Sequence, residues 1–534
     1  MASFGLNNDA AKKYLWPSEA VGLAYQDVLG LPEADRPHAR YVWVQNPTAE
    51  SRAVLNFTIQ TAVSQSSVLV APSFVADGNL LRLDLRTLAP QAEQFQRIAA
   101  AWESQADPHF YFFNKTVSEV VVDVPEFTHT DGKKYTKRRQ QVVANVKAWA
   151  IHASHDNENA AVGLSQETRS TTPIVAQNHF VSKALSVDNG GMYYKFMGFD
   201  AKPAGDKRSD QDFVLSLFGA SESASGKLRS DERTAQWFSQ VTGKPRRVDF
   251  FYGTGVRPSA GLPLVTLTHD PQDGDIDPKQ HPVKSLLNST DRARELICQR
   301  PNGTLAYAIF DASGKLQNTV PDNVAKDHTI PPPFTARLQC AISCISCHGP
   351  NEGWQPCPND VQVMLRATAG GKRFNIFDDE SSKSNPQDVL DRLAGLYSGN
   401  IDEPLHLARE AHERVCYKIG SAAKWKSEPA RYAKTLSAAV TKQVYGYWFD
   451  PITPQAACRE LGYDVTEELA VEQFNKLVPL LPPNIAGVST DDPTLATLRA
   501  WTKEHPLRVS RSDWELVFND VMLRSLTPKL EIQK

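Results

Sequence analysis

The chain has 534 residues, 41% hydrophobic and 22% charged, which is the composition of a folded globular protein rather than of a disordered or fibrous one. At that length two to four structural units are expected, since a single core rarely serves more than about 200 residues. Its 58 basic and 61 acidic side chains leave a net charge of −3, so no global field favours nucleic acid or an anionic membrane.

The first twenty residues contain no continuous apolar stretch of the signal-peptide kind, and no run along the chain reaches the roughly 18–20 apolar residues of a spanning helix. No transmembrane segment is expected. From Ala39 to about Phe113, ARYVWVQ, SVLVAPSFV and LLRLDLRTL read as strands, and AEQFQRIAAAWES reads as an amphipathic helix. The segments Val117–Val124 and Gln140–His152 predict two strands joined across the basic loop DGKKYTKRR, and polar sequence follows near His155–Glu167. These pieces make an α+β unit over residues 1–171.

A second, strand-rich unit is expected over 172–333, with MYYKFMGFD, RRVDFFYGTGV and PLVTLTH as strands. It closes on a meander in which ARELICQR, the turn Pro301-Asn302-Gly303, TLAYAIFD and the turn Ala312-Ser313-Gly314 alternate strand and turn. Three prolines, Pro331–Pro333, then interrupt regular structure and mark a boundary. Beyond it the period turns helical, with helices predicted at Asp360–Ala367, Pro386–Tyr397, Glu403–Cys416, Pro429–Tyr447, Pro454–Leu461, Glu467–Val478, Pro493–Glu504 and Arg511–Arg524. The expected fold is multidomain α+β, a strand-rich N-terminal two-thirds followed by a mainly α-helical, cytochrome c-like domain over 334–534.

The chemistry concentrates at the start of that last unit. Three of the seven cysteines fall between Cys340 and Cys347, and Cys344-Ile345-Ser346-Cys347-His348 spells C-x-x-C-H, the pattern of covalent haem c attachment. Two thiols on one helical turn can each bond a vinyl group of one porphyrin, and the adjoining His348 then supplies an imidazole to the iron. Random placement would give the pattern in roughly two chains per thousand of this composition. A zinc site would need further ligands, for which Cys298, Cys340 and Cys357 are the nearby choices. A thiol–disulfide pair would need a preceding strand and a long following helix, where Gly349-Pro350 stands instead. A disulfide such as Cys340–Cys357 is compatible with an oxidising compartment.

For the iron's other axial position the candidates are Met364, His406 and His412, another residue, or no protein ligand. A calcium site at Asp270, Asp273, Asp275 and Asp277 lacks the EF-hand order and its final glutamate, and Gly219-Ala220-Ser221-Glu222-Ser223 lacks the last glycine of a nucleophile elbow.

The stretch RPNGTLAYAIFDASGKLQNTVP running into LQCAISCISCHGP resembles the segment before the haem site in a family of large bacterial proteins carrying one c-type haem. ARYVWVQN, LLRLDLRTL, MYYKFMGFD and PQAACRELGYD extend the resemblance over roughly residues 39–525, while Gly353-Trp354 departs from the Gly-Met or Gly-Leu often found after the family's motif. The resemblance implies haem attachment through Cys344 and Cys347, with His348 as ligand. Together, motif and resemblance predict a periplasmic or otherwise exported monohaem c-type cytochrome that exchanges electrons with a redox protein partner. A haem enzyme or gas-binding sensor with an open iron site, and an interaction scaffold with a structural haem, are the alternatives.

Overall fold

The computed structural model describes residues 17–105, 107–113, 119–124, 127–128, 134–135, 138–143, 155–188, 190–220, 232–238, 245–252, 264–271, 291–321, 338–348, 402–425, 432–460, 466–477, 509–515 and 518. Helices and sheets are both present, as an α+β fold requires. The helices are α1 (Pro17–Leu29), α2 (Ala49–Thr58), α3 (Leu85–Leu88), α4 (Ala92–Glu103), α5 (His155–Thr168), α6 (Gln177–Ala184), α7 (Tyr193–Met197) and α8 (Asp210–Leu217). They continue with α9 (Ile342–His348), α10 (Asp402–Ala422), α11 (Tyr432–Phe449), α12 (Pro454–Glu460) and α13 (Glu467–Leu477).

The first strands, β1 (Ala39–Trp43), β2 (Ser73–Val75) and β3 (Leu80–Asp84), join β8 (Ile174–Ala176) in a four-stranded sheet of order β2-β3-β1-β8. β1 is antiparallel to β3 and parallel to β8. Its side chains alternate between two cores. Val42 and Val44 face one, while Ala39, Tyr41 and Trp43 face the other, beneath α1 and α5. β8 lies within the segment 172–333, yet it pairs with β1 of the segment 1–171, so the sheet crosses that expected boundary.

Strands β4 (Glu119–Val124) and β7 (Arg138–Val143) form the antiparallel pair expected around the basic loop, with β5 (Phe127–Thr128) and β6 (Lys134–Tyr135) paired between them. The second sheet is an antiparallel meander of order β14-β13-β12-β11-β10-β9, built from β9 (Glu232–Phe238), β10 (Pro245–Tyr252), β11 (Leu264–Pro271), β12 (Asp291–Gln299), β13 (Leu305–Asp311) and β14 (Leu316–Gln317). Residues 305–310 of β13 are all buried, which explains why LAYAIF reads as a continuous apolar run rather than an alternating one.

Three expected strands are corrected, and one stretch for which no element is expected is a helix. MYYKFMGFD is not a strand: α7 occupies Tyr193–Met197 and stops at Gly198, whose φ of 77° ends the helix in the left-handed region. The aromatic residues that suggest a strand instead cap one. The Tyr193 and Tyr194 hydroxyls accept the β13 backbone N–H groups of Tyr307 and Ile309 at 2.9 and 3.4 Å. The polar stretch near His155–Glu167 is helix α5, packed on α1 through small residues: a Cβ on Gly163 would lie 2.5 Å from the Tyr25 ring. SVLVAPSFV is strand only over Ser73–Val75, and LLRLDLRTL leaves the sheet at Asp84, whose carboxylate accepts the Arg86 N–H at 2.9 Å and caps α3.

The predicted helices at Glu403–Cys416, Pro429–Tyr447, Pro454–Leu461 and Glu467–Val478 correspond to α10 through α13. Ser510 caps a helical turn by accepting the Asp513 N–H at 3.1 Å. Asp360–Ala367, Pro386–Tyr397, Pro493–Glu504 and Pro331–Pro333 lie outside the described residues. One apolar core joins both sheets to the C-terminal helices, from Val42 and Leu81 through Phe250, Leu296 and Phe310 to Ile345, Leu405 and Val440.

Two polar devices hold these layers in register. In the β12–β13 turn, the buried Arg300 guanidinium donates to the carbonyls of Gln60 at 2.8 Å, Thr61 at 3.0 Å and Ser64, which end the π-helical extension of α2. Asn302 and Thr304 donate to the Gln60 carbonyl as well, so the turn caps a distant helix and its partial negative charge. The second device is a chain of alternating charge. His109 contacts Asp107 at 2.8 Å and Glu460 at 3.4 Å, and Glu460 pairs with Arg511 at 2.7 Å and accepts the Trp514 indole N–H at 2.6 Å.

Candidate haem-attachment site

The segment entering α9 is tied to the end of the meander. Cys340 N–H donates to Asn318 O at 3.0 Å, and Val320 N–H donates to Leu338 O at 3.0 Å. Ala341 then takes a φ of 67°, in the left-handed region that costs a residue with a Cβ on the order of 1 kcal/mol, and the chain turns into the helix. Gln339 N–H donates to Ser343 Oγ at 3.0 Å across that turn.

Within α9 the motif residues stand at helical spacing i, i+3 and i+4, which places Cys344, Cys347 and His348 on one face. Ile342 and Ile345 are buried in the core and anchor the helix. Cys344 is also buried, whereas Cys347 and His348 are half-buried at the C-terminal end. The face lies over the meander. Cys344 Sγ is 3.5 Å and His348 Nε2 is 3.7 Å from the same oxygen of Glu295 on β12, and the His348 ring sits 6.3 Å from that of Tyr307 on β13. Glu295 and Tyr307 share a sheet face because Glu295 pairs with Ile309 and Ile297 pairs with Tyr307.

Interaction with the Cys340 thiol, burial and the neighbouring Glu295 charge raise the Cys344 thiol well above its ordinary range, so it is protonated at neutral pH. Burial likewise keeps the Tyr307 phenol neutral. The Cys340 thiol donates a hydrogen bond to Tyr307 O at 3.4 Å, and its suggested disulfide partner Cys357 lies outside the described residues.

Of the candidate axial ligands, Met364 lies outside the described residues. His406 is 68% exposed and pairs with Glu410 at 3.1 Å. His412 is buried with Nε2 3.7 Å from Cys416 Sγ, and burial lowers its pKa to about 4, which leaves a neutral imidazole. Asp270 is buried in β11, while Asp273, Asp275 and Asp277 lie outside the described residues, as do Ser221, Glu222 and Ser223.

Among the described residues no group of three or more His, Cys, Asp or Glu side chains is arranged to hold a metal ion unaided. That leaves the zinc reading without a ligand set there. Haem iron asks for less, since the porphyrin supplies four nitrogens and the chain needs to offer only one imidazole. Two thiols and an imidazole on one helical face fit covalent haem c, with Cys344 and Cys347 as the residues that would hold the porphyrin. Sequence reasoning did not find Glu295 or Tyr307, because a strand position gives no sign of the helix that will cover it.

No family model matches this chain, and neither a curated protein nor a solved structure is significantly similar to it. Among the described residues no helix is long and apolar enough to cross a membrane.

Proposed function

We propose that the protein is a monohaem c-type cytochrome of the family of large bacterial proteins with one such haem, and that it transfers electrons outside the cytoplasm. The observation that carries this reading is the common face of Cys344, Cys347 and His348 on α9. In this reading Cys344 and Cys347 would hold the porphyrin and the His348 imidazole would ligate its iron. Glu295 and Tyr307 neighbour the imidazole from the sheet, and α10 and α11 belong to a cytochrome-like helical region around the site. The bound haem would supply one-electron exchange with a redox protein partner.

A second reading, an open iron site that binds a gas or reacts, is favoured by the engagement of His406 with Glu410 and of His412 beside Cys416. Spectra of protein matured with haem-attachment machinery separate the two. A low-spin reduced spectrum indifferent to carbon monoxide is expected for the electron carrier, and a carbon monoxide-sensitive high-spin spectrum for the open site. The double variant Cys344→Ala, Cys347→Ala should lose all haem that survives denaturing electrophoresis, whereas His348→Ala should keep the covalent haem and change its spin state. Wild-type protein without covalent haem after such maturation would sink both readings.

A further inference from the structure

A second site lies on the other sheet. β1 and β8 run parallel as neighbours, and beyond their C-terminal ends opens a cavity of about 290 Å³ lined by residues of both strands and of the segments that follow them. The crevice past the carboxyl ends of adjacent parallel strands is where α/β sheets commonly take ligands, because the departing loops are free to vary there. Here β1 leads through Gln45 and Asn46 into α2, and β8 leads through Gln177 directly into α6. α11 brings Gln443 to the rim, where its amide donates to Asn178 Oδ1 at 3.0 Å.

The lining is dominated by carboxamides: Gln45, Asn46, Gln177, Asn178 and Gln443 all contribute. Each carries two N–H donors and an acceptor oxygen, although the Gln45 amide also donates to Arg459 O, the Gln177 amide to Ser51 O at 3.2 Å and the Gln443 amide to Asn178 Oδ1. That pairing complements a hydroxyl group, which also gives and takes a hydrogen bond, better than it complements an ion. Trp43 adds an apolar aromatic wall, and Thr48 and Ser51 add hydroxyls. His109 and Glu460 also line the cavity, yet they bring no net charge: Asp107, His109, Glu460 and Arg511 alternate in sign and pair with one another at 2.8, 3.4 and 2.7 Å. The α2 N-terminus is occupied as well, since Thr48 Oγ1 accepts the Ser51 N–H at 3.0 Å. The volume falls at the lower end of small-molecule pockets and has no room for a dinucleotide.

We infer that this cavity binds a small neutral polyhydroxylated ligand, a monosaccharide or cyclitol, held by the carboxamides of β1–α2, α6 and α11 against Trp43. The site is separate from the haem motif, although α11 touches both: Tyr445 OH lies 3.4 Å from Ser343 Oγ on α9, two residues along from Gln443.

The test is a titration of the full chain with glucose, galactose, mannose and myo-inositol, and with their phosphate esters and uronic acids, by calorimetry and saturation-transfer NMR. At least one neutral compound is expected to bind, at least about tenfold more tightly than its charged counterparts. Asn178→Leu and Gln443→Leu change rim residues and should each weaken it about tenfold, with an unchanged thermal midpoint, through the loss of a hydrogen-bonding group worth on the order of 1 kcal/mol. The inference fails if no neutral compound saturates the wild-type protein, if the charged counterparts bind as tightly, or if folded variants of both positions bind like wild type.

Discussion

Asp107, His109, Glu460 and Arg511 show how single residues join parts of the chain that are distant in sequence. Burial opposes the charged form of His109, but Asp107 and Glu460 outweigh it and hold the pKa at about 9. Burial also opposes the Glu460 carboxylate, and Arg511 and His109 outweigh it, which keeps this group well below the usual carboxylate range. The signs fix a pH dependence. His109, raised in the folded state, contributes stability that is complete below its unfolded value of about 6.5 and lost as pH rises through about 9. Glu460, lowered in the folded state, contributes stability present above its unfolded value of about 4.5 and lost as pH falls towards its lower folded value. Urea titrations at about pH 6 and about pH 10 should therefore differ by on the order of 3 kcal/mol in wild type and by much less in His109→Gln. An equal alkaline loss in the variant would remove His109 as the cause. None of these four residues carries a sequence signal, since the nearest apolar and polar neighbours of each look like those of any loop or helix end.

At the scale of elements, the turn Pro301-Asn302-Gly303 is legible from its residue types, but its work is not. Arg300, Asn302 and Thr304 cap the extension of α2, some 240 residues earlier in the chain, and this capping gives the RPNG phrase a structural role. Arg300→Met keeps most of the side-chain volume and takes the guanidinium from the carbonyls of Thr61 and Ser64, while Gln60 O keeps Asn302 and Thr304 as donors. Its cost should be about 2–4 kcal/mol, read as a fall in the denaturant midpoint at unchanged slope. The same turn meets α10 closely: a Cβ on Gly303, at φ 85°, would lie 2.6 Å from Val415 Cγ2. Strands β10 to β13 and helices α10 to α13 were readable because their apolar residues form a clear period or, in β13, a continuous run bounded by turn residues. α5 and α7 were not, one because small residues make its buried face and the other because a strand-like aromatic composition serves a five-residue helix.

Across the whole molecule, the helices after the C-x-x-C-H motif are not an independent layer. α11 packs against α2, α6 and α9, α10 packs against α2 and α11, and both helices enter the core that includes Val42, Leu296 and Phe310. A fragment beginning at residue 334 would lose the sheets and α2, whose apolar residues share one core with Ile345, Leu405, Ile419, Leu436 and Val440. It should aggregate or lack a cooperative unfolding transition, while the full chain shows one; cooperative unfolding of the fragment alone, followed by circular dichroism, would instead make 334–534 a self-sufficient domain. By itself the sequence determined the α+β class, the meander, the C-terminal helices α10 to α13 and the C-x-x-C-H face, because each is written in residues a few positions apart. Only the tertiary structure decided that β8 crosses to β1, that Glu295 and Tyr307 meet the motif, and that His109 and Glu460 floor a carboxamide-lined cavity. Those contacts depend on which buried faces find one another, and local periodicity says that a face is apolar without saying what covers it.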